Sequence, residues 1–386
     1  MLKGRRIVFV LGNLELGGAE RQALILARYL AQQEQAVVEV WGFNKSGPVA
    51  EICEQHGLRS RVIPYPFTES RVSRLRALVR VARSLRRAKP DILLPYTFGP
   101  NVVCGLVWPW TGARSCVWNQ RDEGIVPFGS PSVRWAAQRT PRFVSNCEAG
   151  ARFLVERLGV GAEKVSVIRN GVESVAPQLD RRAWRERLAV DDRCFVACMV
   201  ANLHAHKDHA TLLRAWRNVL RDFEASEDGS GDGNAAGHKR SAVLVLAGRR
   251  DGAYESLAAL ASELRIDESV RFVGAVSDVP GLLSAADVSV FSSRSEGCPN
   301  AVLESMAAGL PIAGTNIEGI REVVGASGTQ FLAPVEDAAG LSEVLVKLAN
   351  DPALRARVGA ENRERIREKY DSLRMCEETA ALLKQI

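Results

Sequence analysis

Short apolar runs alternate with amphipathic helical patterns along the chain, and this alternation limits the possible folds more than any other feature. Each run contains three to seven residues and is rich in Val, Ile, Leu and Phe, which is typical of buried strands. Strands that alternate with helices favour parallel sheets with helices on both faces. The predicted strands span 6–11, 36–42, 61–63, 91–95, 114–118, 143–145, 195–201, 242–248, 270–273, 288–291 and 311–315.

The strands fall into two groups, and a chain of 386 residues is long enough for two domains with separate cores. The stretch RNGVESVAPQLD, at 169–180, has turn composition and separates the groups. Residues 224–239 are polar and Gly-rich, and we predict a flexible insertion there. The predicted divisions are an N-terminal Rossmann-like domain over 1–175, a linker over 176–194, a C-terminal Rossmann-like domain over 195–365, and a C-terminal helix over 366–386 that can pack back on the first domain.

With 46% hydrophobic and 25% charged residues, the chain has the composition of a soluble globular protein. The net charge of +6 suits an anionic substrate or an acidic membrane surface and does not call for nucleic acid. The eight cysteines are scattered without a CxxC pair, which favours reduced thiols in a cytoplasmic protein. The apolar run in MLKGRRIVFVLGNLELGG is short, so we predict a buried first strand rather than a signal peptide. Prolines interrupt the apolar stretch at 92–110, which argues against a spanning helix.

Residues 293–311 read SRSEGCPNAVLESMAAGLP, in which a Gly-x-Pro-Asn turn leads into a helix of small residues. Pro299 suits the first helical position, where its missing N–H would be unpaired in any case, and Gly309 suits the helix end. We predict a helix over 299–308. Its N-terminus carries unpaired N–H groups and a partial positive charge, which together favour an anion such as phosphate.

Two carboxylates flank this turn. Glu296 precedes it, and Glu304 lies on the second turn of the predicted helix. Carboxylates accept hydrogen bonds from vicinal hydroxyls, such as those of a hexose or a ribose ring. A phosphate between two hydroxyl-rich groups is the layout of a nucleotide sugar. The alternative interpretation is a surface helix with an N-terminal acid and a solvated glutamate.

The loop after the first predicted strand reads GNLELGGAER and places Gly17 and Gly18 at the start of a helix. Two glycines there let a ligand approach the backbone closely. The spacing is not G-x-G-x-x-G and no G-K-[ST] follows, which argues against a dinucleotide-dependent oxidoreductase and against a P-loop.

The stretch SRSEGCPNAVLESMAAGLPIAGTNIEGIREVV, with its Glu-x7-Glu spacing, resembles the retaining glycosyltransferases of family 4. Further segments agree with that family in order and spacing: GGAERQALILARYL, VSNCEAGARFL with VIRNGVE, VANLHAHKDHATLLRAW, and DVPGLLSAADVSVFSSRSEG. The resemblance covers nearly the whole chain. It implies the α/β fold called GT-B, with two doubly wound Rossmann-like domains that face each other across a cleft. The first would bind the acceptor and the second the nucleotide sugar, with the active site in the cleft.

The resemblance also implies roles for individual residues. Glu304 would hold the ribose hydroxyls of the donor, and Glu296 would contact hydroxyls of the transferred sugar. Lys207, at the start of the helix in HAHKDHATLL, would neutralise the diphosphate, which Gly17 and Gly18 would approach from the other domain. The backbone segment that would meet the sugar or the diphosphate comprises Gly297, Cys298, Pro299, Asn300 and Ala301.

Two positions depart from the family pattern. Family members commonly have an arginine where this chain has Asn202, so diphosphate binding would depend more on Lys207. Many members also carry a histidine near the sugar, in the region that reads WNQRDEG here. Arg121 would take over as a polar or cationic contact, with Asp122 or Glu123 as alternatives. The expected catalytic residues are Glu296, Lys207 and Arg121, and the expected donor-binding residues include Asn202.

The chemistry that the resemblance implies depends on charge. Breaking the anomeric bond places negative charge on the diphosphate, which fixed positive groups stabilise. The configuration would be retained by a front-side reaction, in which the departing phosphate accepts the acceptor's proton. We expect neither a metal nor a cofactor beyond the donor. His204, His206 and His209 are close in sequence, but no Cys or carboxylate completes a metal-ligand spacing, so a polar phosphate loop is favoured.

Residues 71–89 combine arginines at helical spacing with apolar residues and contain no acid. Such a basic amphipathic helix can lie on an anionic membrane surface, and the alternative is a surface helix with solvated arginines. The arginines at helical spacing are Arg76, Arg80, Arg83 and Arg87. The apolar residues expected on the other side are Leu75, Leu78, Val79, Ala82 and Leu85, and in the alternative interpretation that side packs on the sheet.

We therefore predict a cytoplasmic glycosyltransferase, which can act at the cytoplasmic face of the membrane. It would move a sugar from a UDP- or GDP-sugar to a hydroxyl of a glycan or lipid-linked acceptor, in glycan, polysaccharide or glycolipid synthesis. The alternatives are a nucleotide-sugar epimerase on the same fold and a non-catalytic homologue that binds a nucleotide sugar.

Overall fold

The computed structural model of the protein describes residues 1–67, 70–124, 130–228 and 241–386. The chain divides into two compact units. Unit 1 comprises Met1–Gly171 together with Tyr370–Ile386, and unit 2 comprises Val172–Lys369. Each unit is an α/β structure built on a parallel sheet.

Within the described residues, the sheet of unit 1 has seven parallel strands in the order β3-β2-β1-β4-β5-β6-β7. The strands are β1 Arg6–Leu11, β2 Val37–Phe43, β3 Arg59–Ile63, β4 Ile92–Pro95, β5 Ser115–Gln120, β6 Arg142–Ser145 and β7 Val165–Val167. The helices before unit 2 are α1 Gly18–Gln32, α2 Pro48–Gln55, α3 Arg71–Ala88, α4 Phe98–Val107, α5 Pro131–Arg139 and α6 Glu148–Arg152, which continues as a π-helical turn over Phe153–Arg157.

The central strand β1 supplies both cores of unit 1. Ile7 and Phe9 pack into the core on one face of the sheet, and Val8 and Val10 pack into the core on the other face. Successive side chains of a strand point to opposite faces, so a strand covered by helices on both sides must be apolar throughout. This is the physical reason why the first apolar run predicts a buried strand.

Within the described residues, the sheet of unit 2 has six parallel strands in the order β10-β9-β8-β11-β12-β13. Its strands are β8 Phe195–Val200, β9 Ala242–Ala247, β10 Val270–Gly274, β11 Val288–Phe291, β12 Ile312–Thr315 and β13 Leu332–Ala333. Its helices are α7 Arg181–Leu188, α8 His209–Asp228, α9 Tyr254–Glu263, α10 Val279–Ala285, α11 Asn300–Ala307, α12 Glu318–Gly328, α13 Ala338–Asn350 and α14 Pro352–Lys369. Of the insertion predicted at 224–239, residues 224–228 end α8, and 229–239 lie outside the described residues.

The strand order of unit 2 changes direction beside β8. From β8 the chain runs outward through β9 to β10, and then returns to pair β11 with the opposite edge of β8. In open α/β sheets, ligands bind beyond the carboxyl ends of the strands at such a switch point. The loops that follow β8 and β11 are therefore the expected position of a site.

The stretch 176–194, predicted as a linker, instead lies inside unit 2. Helix α7 within it packs on α10. Arg185 of α7 is only 2% exposed and pairs with Asp287 at 2.9 Å. The sequence of α7 is rich in charge, yet its central arginine is buried with a carboxylate partner.

The C-terminal segment predicted as one helix over 366–386 contains parts of two helices. Helix α14 ends unit 2 at Lys369, and α15, Ser372–Lys384, belongs to unit 1. Helix α15 packs on α1, and Met375, Cys376, Ala380 and Leu383 join the core that contains Ile7 and Phe9. The chain leaves unit 1 after Gly171, where an added side chain would collide with the backbone of Ser372. The chain therefore leaves unit 1 and re-enters it at adjacent positions.

Candidate active site

The loops after β8 and β11 meet through an ion pair between Lys207 and Glu296. Lys207 lies in a short 3-10 turn, Ala205–Lys207, and not at the start of the following helix as predicted, because α8 begins only at His209. The Glu296 carboxylate also accepts a hydrogen bond from Ser293 Oγ at 2.7 Å. Both side chains of the pair are partly buried, at 21% and 14% exposure, so solvent screens their attraction less than at an open surface.

Further bonds fix the two loops to each other. Ser292 Oγ donates to the carbonyl oxygen of Lys207 at 2.9 Å, and the Arg294 N–H donates to the carbonyl oxygen of His206 at 2.9 Å. The Arg294 guanidinium pairs with Asp208 at 3.4 Å and with Glu336 at 3.0 Å. The Lys207–Glu296 pair is therefore carried by two loops whose backbones hold each other in place.

Helix α11 begins directly after this pair. It spans Asn300–Ala307, with Pro299 at the cap position in an extended conformation rather than inside the helix as predicted. Gly297, Cys298 and Pro299 are buried, which places the segment between Glu296 and the helix inside the protein. Glu304 lies on α11 with intermediate exposure. Gly309, with φ +79°, follows the end of the helix as the sequence predicted.

Gly319, at the start of α12, contributes to the site in a way that the sequence alone did not show. A side chain at Gly319 would collide with the carbonyl oxygens of both Glu296 and Gly297. Only glycine allows α12 to lie directly against this backbone. The sequence signal was the pair Glu-Gly after the β12 strand, but nothing local indicated which backbone it would touch.

Asn202, at the carboxyl end of β8, is bonded to the loop that follows β9. Its Oδ1 accepts a hydrogen bond from the Arg249 N–H at 3.0 Å, and the Leu203 N–H donates to the Arg249 carbonyl oxygen at 3.1 Å. A side chain at Gly248 would collide with the carbonyl of Ala201. The loops after β8 and β9 are therefore closely joined, and the Asn202 side-chain oxygen takes part in that connection.

Two of the three neighbouring histidines, His204 and His206, lie in the loop after β8, and the third, His209, begins α8. The ring centroids of His204 and His206 are 5.2 Å apart. Burial, together with the Lys207 ammonium, lowers the pKa of His209 to about 4, so this ring is neutral at neutral pH. In the described part of the chain, no group of three His, Cys, Asp or Glu side chains is arranged to hold a metal ion.

Arg121, Gly17 and Gly18 belong to unit 1. Arg121 Nη2 donates to Asn170 Oδ1 at 2.6 Å, and its guanidinium lies 5.2 Å from the centroid of the Tyr96 ring. Gly17 caps α1 and Gly18 is its first residue. A side chain at Gly17 would meet the Glu20 carboxylate at 2.7 Å. The predicted roles of these residues toward a donor stay predictions.

The alternatives to Arg121 are Asp122 and Glu123, and the carboxylate of Asp122 is occupied within its own loop. Asp122 Oδ1 accepts hydrogen bonds from Gln120 Nε2 at 2.7 Å and from the Gly124 N–H at 2.8 Å. These bonds shape the turn after β5 and direct the Asp122 carboxylate toward the backbone of that turn.

Comparisons with known proteins show the family of the chain. The sequence model described as Glycosyl transferases group 1 matches residues 180–365, and the one described as Glycosyltransferase Family 4 matches residues 16–174. The lipopolysaccharide core biosynthesis glycosyltransferase LpsE of Rhizobium meliloti is 32% identical over 367 residues, 90% of either chain. The UDP-Gal:alpha-D-GlcNAc-diphosphoundecaprenol alpha-1,3-galactosyltransferase of Escherichia coli is 22% identical over 323 residues, 81% of this chain and 80% of its own length.

Solved structures identify the fold. The crystal structure of HepE from Anabaena, in complex with UDP and glucose, matches with a TM-score of 0.82 at 19% identity and covers 99% of this chain and 100% of HepE. The two α/β units are thus those of the GT-B glycosyltransferases. Within that class, the chain belongs to the family 4-like glycosyltransferases.

Proposed function

We propose that the protein transfers a sugar from a UDP- or GDP-sugar to a hydroxyl of a glycan or lipid-linked acceptor, with retention of the anomeric configuration. The observation that carries the proposal is the Lys207–Glu296 pair at the switch point of unit 2. One relative is named for transfer from UDP-Gal to a diphosphoundecaprenol-linked sugar, and another for lipopolysaccharide core biosynthesis. These names support a UDP-sugar donor and a role in glycolipid or polysaccharide synthesis.

In the proposed reaction, Lys207 stabilises the negative charge that grows on the diphosphate as the anomeric bond breaks. Glu296, its partner, accepts hydrogen bonds from hydroxyls of the transferred sugar. The first N–H groups of α11 add a partial positive charge beside the leaving group. A sugar diphosphate bound here would meet a cation at its phosphates and a carboxylate at its sugar.

The bond between the anomeric carbon and the phosphate oxygen breaks, and the bond to the acceptor oxygen forms on the same face of the sugar. The acceptor's proton passes to the departing phosphate. Lys207 and the start of α11 supply the positive charge for this step, so the proposal includes neither a metal ion nor a further cofactor. Glu304 holds the ribose hydroxyls and fixes the position of the nucleotide.

The test of the donor site is Glu304→Ala. Loss of hydrogen bonds between a carboxylate and the ribose should weaken binding of the nucleoside diphosphate by about 10- to 100-fold, since charged hydrogen bonds contribute about 1.5–3 kcal/mol. Thermal shifts with UDP, GDP, ADP, TDP and NAD measure this, because a ligand at about 100 times its Kd adds about 2.7 kcal/mol of stability. One nucleoside diphosphate should stabilise wild type and fail to stabilise the variant at the same concentration.

The matched control is Glu343→Ala, which removes an exposed glutamate from helix α13. It should keep the full nucleotide-induced shift. An equal shift in Glu304→Ala and wild type would contradict the ribose assignment. A shift with NAD alone would contradict the donor class. Nucleotide binding without turnover of any UDP- or GDP-sugar would favour the non-catalytic homologue.

We also propose that α3 brings the protein to an anionic membrane surface. The exposed face of α3 carries both charge and apolar side chains, and a shallow groove of about 540 Å³ runs along it. Leu75 and Val79, predicted on the side opposite the arginines, are instead 63% and 43% exposed, beside Arg76, Arg80 and Arg83. The sheet side of α3 is formed by Ala77, Val81, Ala82 and Leu85. No helix of the described residues is long and apolar enough to span a bilayer.

Aromatic side chains lie next to this face. The 3-10 turn Trp108–Trp110 packs against α3, and Trp110 is 54% exposed. The Arg139 guanidinium lies over the rings of both Trp110 and the exposed Trp135, at 5.6 and 4.7 Å from their centroids. Tryptophan and arginine are the side chains that suit the boundary between headgroups and acyl chains.

Vesicle sedimentation tests the membrane proposal. Wild type should bind phosphatidylcholine vesicles that contain phosphatidylglycerol and should bind pure phosphatidylcholine weakly. Arg80→Glu/Arg83→Glu should lower that binding by about 10-fold or more, since each basic residue near an anionic surface contributes about 1 kcal/mol. The control Arg193→Glu/Arg357→Glu makes the same charge change at exposed positions of unit 2 and should bind as wild type. Equal loss in both variants would show that only net charge matters.

A further inference from the structure

Most positive groups beside the β8 loop already have partners within unit 2. The Lys207 ammonium pairs with Glu296, and the Arg294 guanidinium pairs with Asp208 and Glu336. A nucleoside diphosphate brings at least two negative charges, which a single lysine already paired with a carboxylate only partly balances. The start of α11 adds only a partial positive charge, so a further cation at this edge of the sheet would strengthen binding of the proposed donor.

The loop after β9 carries two arginines at the same edge. Arg250 is engaged: its Nη2 donates to the Phe272 carbonyl oxygen at 3.2 Å, and its guanidinium lies 4.3 Å from the centroid of the Tyr254 ring. Arg249 is exposed, and across residues 1–67, 70–124, 130–228 and 241–386 its side chain forms no ion pair. Arg249 is thus a cation without a counter-charge beside the switch point.

The backbone of Arg249 is held in place by two hydrogen bonds. Its N–H donates to Asn202 Oδ1 at 3.0 Å and its carbonyl oxygen accepts from the Leu203 N–H at 3.1 Å. Gly248 brings this loop close to β8, because any other residue there would collide with the Ala201 carbonyl. The Arg249 backbone is therefore held next to Asn202, and its exposed side chain is accessible to a ligand.

We infer that Arg249 binds the diphosphate of the donor, and that Asn202 acts as a positioning residue that holds the Arg249 backbone at the carboxyl end of β8. The inference rests on the proposed function, because it assumes a nucleoside diphosphate at this site. This arrangement is consistent with Asn202 standing where family members commonly have an arginine. The neutral Asn202 side chain leaves room for the loop after β9 and accepts a hydrogen bond from it, and Arg249 of that loop carries the positive charge. A guanidinium is well suited to phosphate because its N–H groups can donate in pairs.

The test compares nucleotides that differ only in phosphate. Affinities of wild type and Arg249→Gln are measured by calorimetry for UDP and GDP, and for uridine and guanosine. Arg249→Gln should weaken binding of the nucleoside diphosphate about 10-fold or more and leave binding of the nucleoside unchanged. Arg249→Lys should recover part of the loss, because it restores the charge without the paired donors. The control Arg193→Gln, an exposed arginine of the same unit, should match wild type.

The outcomes separate this inference from the proposed function. If wild type binds UDP or GDP and Arg249→Gln binds it equally well, Arg249 is not a diphosphate ligand and only the inference fails. If the variant loses nucleoside and nucleoside diphosphate affinity in equal proportion, Arg249 contacts the base or ribose, and the inference again fails. If wild type binds neither nucleoside diphosphate, the proposed function fails and the inference fails with it.

Discussion

Lys207→Ala should lower the rate of sugar transfer by about 100-fold or more while leaving the protein folded. In the proposed reaction the lysine stabilises the charge that develops on the leaving diphosphate, and the loss of one such preorganised group costs about 10²–10³ in kcat. The substitution also leaves Glu296 without its partner beside an anionic ligand, which adds to the effect. Release of UDP or GDP from a panel of their hexose derivatives, with octyl glycosides as acceptors, measures the rate.

The matched control is Lys384→Ala. Lys384 also forms an ion pair with a glutamate, Glu34, at 2.6 Å, but it lies on α15 and is more exposed. Surface pairs of this kind contribute little to stability, so the control should keep wild-type activity. A Lys207→Ala enzyme that retains activity within about three-fold of wild type would contradict the assigned role.

Asp278→Ala should lower the free energy of unfolding of unit 2 by about 3–5 kcal/mol, because it leaves two buried donors, on Trp184 and Gly281, without an acceptor. The Asp278 carboxylate is 6% exposed and accepts four hydrogen bonds at 2.8 to 3.1 Å. The donors are the N–H groups of Gln178, Leu179 and Gly281 and the indole Nε1 of Trp184. Urea denaturation followed by tryptophan fluorescence measures the loss.

The control for this prediction is Asp180→Ala, at the cap of α7. Asp180 is exposed and its side chain accepts one hydrogen bond, from the Ala183 N–H at 2.8 Å. Loss of a helix cap costs about 1 kcal/mol. Equal losses in the two variants would show that the Asp278 network contributes no more than an ordinary cap.

The effect of Asp278 should also depend on pH. Burial raises the pKa of Asp278, but the hydrogen bonds from Gln178, Trp184, Leu179 and Gly281 outweigh burial and leave the pKa lowered. The stabilisation is therefore fully present above the unfolded-state pKa of about 3.9 and is lost as the pH falls through the lower pKa of the folded state. The difference between wild type and Asp278→Ala should be constant near neutral pH and should shrink in acid.

The strand positions could be predicted because both sheets are covered by helices on both faces. Strands buried on two sides are apolar throughout, and every predicted strand is present with ends that differ by at most two residues. The two strands that were missed, β7 and β13, have three and two residues and are too short to give a pattern. Leu75 and Val79 were placed on the wrong side of α3 because helical spacing alone does not show which sector of a helix meets the sheet.

The site was predictable only in part. The resemblance to family 4 singled out Lys207 and Glu296, which come together although they are far apart in sequence, because β8 and β11 are neighbours in the sheet. Gly319 and Gly248 gave no local signal, since the backbone each approaches belongs to another element. The attachment of Asn202 to the Arg249 loop likewise depends on the pairing of β8 with β9.

The return of α15 to unit 1 has a consequence for how the protein forms on the ribosome. Unit 2 is continuous in sequence, so all of its strands and helices have been synthesised once Lys369 has been added. The core around Ile7 and Phe9 includes Met375 and Leu383, which leave the ribosome later still. Unit 1 is therefore translated first and completed last. The apolar face of α1 that packs on α15 stays uncovered until α15 has been synthesised.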